Sequence, residues 1–318
     1  MMTYLLLLLG FIVLIKGAEF LVDGASSVAK KMRVSNLAIG LTIVAFGTSA
    51  PELFVNLFAS FNGNADIAIG NIVGSNIVNT LLILGIVAMI MPIKVGKGTV
   101  WKEIPMALLA AVLLLVMAND AIVDRVAHNA LTRSDGVALI AFFIIFLYYT
   151  FGIAKQVGTD EQPAPRVYSG LGSVARIVGG FAGLAVGGQW IVSSASVIAS
   201  RFGMSDALIG LTIVAIGTSL PELSTSIVAA IKKNADIAVG NVIGSNIFNI
   251  FWILGISSII RPLPFKPELN LDLWMVVVSS ALLFIWMFLG KRHLLERWQG
   301  GAMILLYSAY TGAIILRG

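Results

Sequence analysis

The chain reads as an all-α membrane protein of ten transmembrane helices. They form two inverted five-helix repeats, with broken helices where the repeats carry their polar residues. Three observations lead there. The 318 residues are 58% hydrophobic and only 12% charged, with a mean hydropathy of +0.96, whereas soluble domains carry about a quarter charged residues. One stretch occurs twice, as GLTIVAFGTSAPELFVN at 40–56 and GLTIVAIGTSLPELSTS at 210–226. Each copy is followed by a second match, NADIAIGNIVGSNIVN at 64–79 and NADIAVGNVIGSNIFN at 234–249. Roughly 25 of the 40 aligned positions are identical without a gap, which makes this an internal repeat. Finally, each copy sets one carboxylate, Glu52 or Glu222, inside an apolar run, where an ionisable residue is expensive and marks function.

Apolar stretches of spanning length fall at about 3–29, 36–60, 65–91, 99–118 and 135–154. They resume at about 170–200, 206–231, 236–260, 271–290 and 300–316. Five spans per half is an odd number, so the second half enters the membrane upside down. The expected organisation is a first repeat at 1–154 (core 36–91), a linker at 155–169 and a second repeat at 170–318 (core 206–260). Loop charge orients it. With the N-terminus outside, Lys30, Lys31, Arg33, Lys94, Lys97, Lys102, Lys155, Arg166, Arg176, Lys232, Lys233, Lys291, Arg292 and Arg297 fall on one side. Only Arg125, Arg133, Arg201, Arg261, Lys266 and Arg317 fall on the other. The basic side is cytoplasmic, which puts the linker inside and both termini on the extracytoplasmic face of the cell (inner) membrane. The first 15 residues lack a basic n-region and a small-residue cleavage site, and belong to the first span. The formal charge of +5 sits mostly in short loops and calls for no nucleic-acid partner. The absence of cysteine excludes disulfides and thiolate metal sites.

In Ala45-Phe46-Gly47-Thr48-Ser49-Ala50-Pro51-Glu52, Pro51 lacks an N–H and opposes the carbonyl of Gly47. The span is expected to kink or unwind over 45–50 and to free carbonyls between Ala45 and Thr48, which a bilayer tolerates only where protein, water or an ion satisfies them. Thr48 and Ser49 add hydroxyls, Glu52 a carboxylate, and 215–222 repeats the arrangement. Brought together, the inverted copies make an all-oxygen cage of charge near −2, suited to a hard cation and above all to Ca²⁺. Neither stretch contains His or Cys, which argues against zinc, copper and iron. Facing them, Ser75 and Asn79, and likewise Ser245 and Asn249, share a helix face by i,i+4 spacing. Gly70, Gly74, Gly240 and Gly244 read as close-packing positions. Asn71, Asn76, Asn241 and Asn246 either ligate ions or fasten the broken helices. Asp66 and Asp236 fit helix capping or the helix dipole better than ion binding, and Lys16, Glu19 and Asp23 fit an internal ion pair on the first span.

The doubled motif GTSAPE…GSNIVN and GTSLPE…GSNIFN resembles the α-repeats of the cation/Ca²⁺ antiporter superfamily, in its sodium/calcium exchanger branch. The resemblance covers the whole ten-span layout. It implies a secondary transporter, not an enzyme, that needs no cofactor and exchanges Na⁺ for Ca²⁺ with net charge movement. It also implies ligand roles. Glu52 and Glu222 with the Thr48 and Thr218 carbonyls would hold Ca²⁺. The Ala45 and Ala215 carbonyls with Ser49, Ser75, Ser219 and Ser245 would hold Na⁺, and Asn79 and Asn249 would line the middle position. Some relatives, the K⁺-dependent exchangers among them, carry Asp where this chain has Asn249, so K⁺ co-transport is not expected. The long first and sixth spans suit a mobile gate, and a complete site within one chain suits a functional monomer. A proton-coupled antiporter remains the alternative, since a glutamate can exchange a proton for Na⁺.

Overall fold

The computed structural model describes residues 2–123, 125, 127–154, 167–202 and 215–317. The expected linker lies outside these residues as far as 166, and so does the start of the seventh span, 203–214. The described chain is almost entirely helical, because within a bilayer only a helix satisfies every backbone polar group of a lone segment. Its helices are α1 (Met2–Met32), α2 (Asn36–Thr48), α3 (Ala50–Phe61), α4 (Ala65–Ile90), α5 (Lys97–Met117) and α6 (Arg133–Ala154) in the first half. The second half has α7 (Gly170–Arg201), α8 (Ala215–Thr218), α9 (Leu220–Ile231), α10 (Ala235–Ile260), α11 (Pro267–Trp286) and α12 (Arg297–Arg317). Eight of these are long and apolar enough to cross a membrane, and α2 with α3 makes a ninth, bent span. The remaining expected span, the seventh, is described from Ala215 onward.

Two short ribbons relate the halves. After α4 comes β1 (Ile93–Lys94) and after the matching α10 comes β3 (Leu263–Pro264). β1 pairs antiparallel with β4 (Leu294–Leu295), and β3 with β2 (Ala130–Leu131). Between β1 and β2 the chain crosses through α5. Equivalent strands of the two halves therefore sit at opposite ends of the helices, the relationship an inverted repeat requires.

α1 and α7 pack side by side along their lengths. Their seam is built on glycine: a Cβ on Gly17 would lie 2.7 Å from the Leu184 amide nitrogen, and one on Gly187 would lie 2.6 Å from that of Leu14. α4 and α10 are the most buried of the eight unbroken spans. α3 is turned inside out relative to a helix of a soluble protein: Glu52, Asn56 and Ser60, each four residues apart, are fully buried, while Phe54, Phe58 and Phe61 are 60%, 69% and 67% exposed toward the lipid side. Glycine packing of α10 is as expected, since a Cβ on Gly244 would come within 2.8 Å of the Leu41 carbonyl. No described residue lies within 4 Å of a Cβ at Gly70 or Gly74.

Candidate cation site

The GTS-x-PE stretches break their spans by proline chemistry. Pro51 and Pro221 fall in the first turns of α3 and α9, where a missing N–H costs no hydrogen bond. The preceding residues, Ser49 and Ser219, leave helical geometry, at φ −81°, ψ 8° and φ −87°, ψ 5°. α2 and α3 meet at a bend of 48°. The chain kinks and does not unwind. The carbonyl of Ala45 is accordingly not freed: it accepts the Ser49 N–H at 3.0 Å and the Thr48 hydroxyl at 3.3 Å. The reason is register, because proline orphans the carbonyl four residues back, which belongs to Gly47.

A second irregularity has no signature in the apolar pattern. Gly40–Val44, Val78–Ile83 and Phe248–Leu254 are π-helical, a widening common at functional sites. Asn79 and Asn249 lie in two of these segments.

Glu52 and Glu222 are both fully buried. Ser49 crosses between repeats to reach Glu222, while Ser75 and Ser245 each serve the glutamate of their own repeat. Ser49 donates to Glu222 Oε1 at 2.9 Å, and Ser245 reaches the same oxygen at 3.4 Å. Ser75 donates to Glu52 Oε1 at 3.2 Å, while Ser219 and Asn249 each reach Ser75 Oγ at 3.2 Å. Asn79 donates to Asn246 Oδ1 at 3.1 Å. Thr48 gives its hydroxyl to Asn241 Oδ1 at 3.0 Å. Ala215 and Thr218 stand at the two ends of α8.

The four other asparagines fasten. Asn71 reaches the Glu52 carbonyl at 3.4 Å and Asn56 Oδ1 at 2.7 Å. Its counterpart Asn241 reaches the Glu222 carbonyl at 3.3 Å and Ser226 Oγ at 3.0 Å. Asn76 and Asn246 join the two repeats to each other. Asn56, Ser226 and Thr80 take part without having been singled out in the sequence. The signal for the first two was present, four residues after each glutamate and so on its helix face.

Three acidic residues outside the site pair with lysines. Lys16 pairs with Glu19 at 2.7 Å as expected, but Asp23 turns away to Lys232 at the end of α9. Asp66 lies in the first turn of α4, as the dipole reading expects, and also pairs with Lys266 at 2.6 Å.

Within the cluster, four buried oxygens take no hydrogen bond from the described residues: Glu52 Oε2, Glu222 Oε2, Asn79 Oδ1 and Asn249 Oδ1. They are two pairs related by the repeat, and all are acceptors. Buried acceptors left without donors are costly, and two carboxylates among them demand positive charge. The chemistry of this set is that of an oxygen-lined cation site.

Comparisons with known proteins agree with that reading. Residues 2–152 and 172–316 match the sodium/calcium exchanger protein family. The putative antiporter CaxA of Alkalimonas amylolytica is 38% identical over 95% of either chain. The sodium/calcium exchanger MaX1 of Methanosarcina acetivorans is 34% identical over 97% of either chain. A solved structure of the sodium-calcium exchanger NCX_Mj superposes with a TM-score of 0.83 at 35% identity, covering 98% of each chain. Fold and site thus define a multi-pass secondary transporter of cations, not an enzyme. The chain belongs to the sodium/calcium exchanger family of the cation/Ca²⁺ antiporter superfamily.

Proposed function

We propose that the chain exchanges Na⁺ for Ca²⁺ electrogenically and without K⁺, by alternating access around the Glu52/Glu222 cluster. The four partnerless oxygens carry this reading, because two buried carboxylates and two amide carbonyls suit a hard cation that accepts several oxygens. Ca²⁺ is held by Glu52 and Glu222 with the Thr48 and Thr218 carbonyls. Na⁺ uses the hydroxyls of Ser49, Ser75, Ser219 and Ser245, with Asn79 and Asn249 between, and the Ala45 and Ala215 carbonyls join once the Thr48 hydroxyl gives up its bond to Ala45. Either cargo neutralises the glutamates, and only a neutralised site lets an apolar gate slide over it. α1 and α7, joined along their glycine seam, form that gate and move together. Exchange follows, since bare carboxylates hold the gate still. Amides at both 79 and 249 keep the site charge at that of two glutamates, which supports K⁺ independence. The two five-span repeats supply one complete site per chain, which supports a functional monomer. Loop charge supports an inner-membrane orientation with both termini extracytoplasmic.

The test is radiolabelled Ca²⁺ uptake into proteoliposomes loaded with Na⁺, with K⁺, or with a pH gradient alone. Uptake that needs internal Na⁺, and quickens when an ionophore dissipates voltage, is the expected result. Uptake driven by the pH gradient without Na⁺ would instead make the chain a proton-coupled antiporter using the same glutamates. Glu52→Gln is expected to lose uptake by more than about a hundredfold, since an uncompensated change at a buried charge costs 3–5 kcal/mol.

A further inference from the structure

We infer that Asn76 and Asn246 are positioning residues that fix the polarity of the two site amides, each acting across the repeat boundary. The inference rests on the cation-binding reading above. An asparagine amide presents oxygen on one side and N–H on the other, and only the oxygen serves a cation. Nothing in the side chain itself selects the orientation. The surrounding hydrogen bonds do.

For Asn249 the selection traces to a backbone atom. Asn76 Nδ2 donates to the Asn246 carbonyl at 3.4 Å. A carbonyl only accepts, so the N–H end of Asn76 is committed there and its oxygen faces the other way. That oxygen accepts Asn249 Nδ2 at 3.0 Å, and the same amide also donates to Ser75 Oγ at 3.2 Å. Asn249 Oδ1 is then turned to the side where no described residue donates to it, buried, on an amide that Ser75 links to Glu52. For Asn79 the roles are exchanged between repeats. Asn246 donates to Thr80 Oγ1 at 2.8 Å and accepts Asn79 Nδ2 at 3.1 Å, leaving Asn79 Oδ1 partnerless as well. Asn76, Asn79, Asn246 and Asn249 are at most 6% exposed, so water does not compete for these bonds. An Asn76 that is removed lets Asn249 rotate, and half of its orientations then point N–H at the cation.

The test is a double-mutant cycle read by equilibrium ⁴⁵Ca²⁺ binding to the purified full chain. Asn76→Leu keeps the volume and removes the amide. It is expected to weaken Ca²⁺ binding about tenfold, the loss of one oriented hydrogen bond. In an Asn249→Ala background it is expected to add less than about twofold, because contacting residues that act through one another are not additive. A merely structural role for Asn76 predicts the full factor in both backgrounds, and that result, or no effect of Asn76→Leu in the wild-type background, overturns the inference. If Asn76→Leu does not fold, Asn246→Leu is measured against Asn79→Ala by the same criterion. Binding that is lost in Glu52→Gln while Asn76→Leu is silent defeats the positioning role alone. Wild-type protein that binds no Ca²⁺ defeats the cation-site reading and the inference with it.

Discussion

Ser49 of the first repeat hydrogen-bonds Glu222 of the second at 2.9 Å. The contact spans 173 positions of sequence and joins a hydroxyl placed by one kinked span to a carboxylate placed by the other. Because the hydroxyl adjoins the carboxylate, it lies within reach of any cation that the carboxylate holds. We expect Ser49→Ala to raise the Na⁺ needed for half-maximal exchange by about tenfold, the value of one hydrogen bond to a charged group. Half-saturating Ca²⁺ should move far less. A Ca²⁺ effect as large as the Na⁺ effect would place Ser49 in the Ca²⁺ set.

Asp23 and Lys232 join the proposed gate helix α1 to the end of α9. Asn234 reinforces the link by donating to Ser26 Oγ at 3.1 Å. By the repeat, Asp23 corresponds to Ser193 and Lys232 to Asn62, so the other end of the gate carries no equivalent ion pair. The side chains are about a third exposed, which limits the pair to about 0.5–1 kcal/mol. Lys232→Gln should therefore shift gate opening at that end two- to fivefold, and the charge swap Asp23→Lys with Lys232→Asp should restore it. The chain has no cysteine, so single introduced cysteines on α1 report the opening through their rate of thiol labelling.

The α1–α7 seam should resist added bulk. Gly17→Val places atoms against the backbone of α7 and is expected to cost about 1–3 kcal/mol, the usual penalty of overpacking. Gly312→Ala, where no described residue lies within 4 Å, serves as the comparison and should be neutral. Thermal unfolding of both variants in detergent measures the difference, and equal midpoints would refute tight packing at Gly17.

Lys266 and Asp66 should show a pH dependence of known sign. The carboxylate of Asp66 holds the Lys266 ammonium above its ordinary 10.5. A raised lysine pKa stabilises the folded chain at pH below 10.5, and that contribution disappears as the pH rises through the raised value. Wild-type and Lys266→Met proteins should therefore differ by the same small amount at pH 6 and pH 8, and converge only well above 10.5. Because the pair is solvent-exposed, molar salt should also erase the difference.

The sequence by itself determined the spans, their doubling, and the two glutamates on which the site is centred. Apolar length and a repeated polar phrase are local properties, and a carboxylate in a bilayer announces itself wherever the chain is read. Asn56 and Ser226 were legible too, one helical turn beyond Glu52 and Glu222. Tertiary structure decided the rest. Asn76 and Asn79 are both asparagines in one short phrase, yet the first fastens and the second presents an unpaired oxygen, because each amide takes its polarity from a partner about 170 residues away. Asp23 prefers Lys232 to the lysine on its own helix for the same reason. The π-helical turns around Asn79 and Asn249 likewise leave no mark on the hydropathy pattern, since widening a helix by part of a residue changes which face a side chain occupies and not how apolar it is.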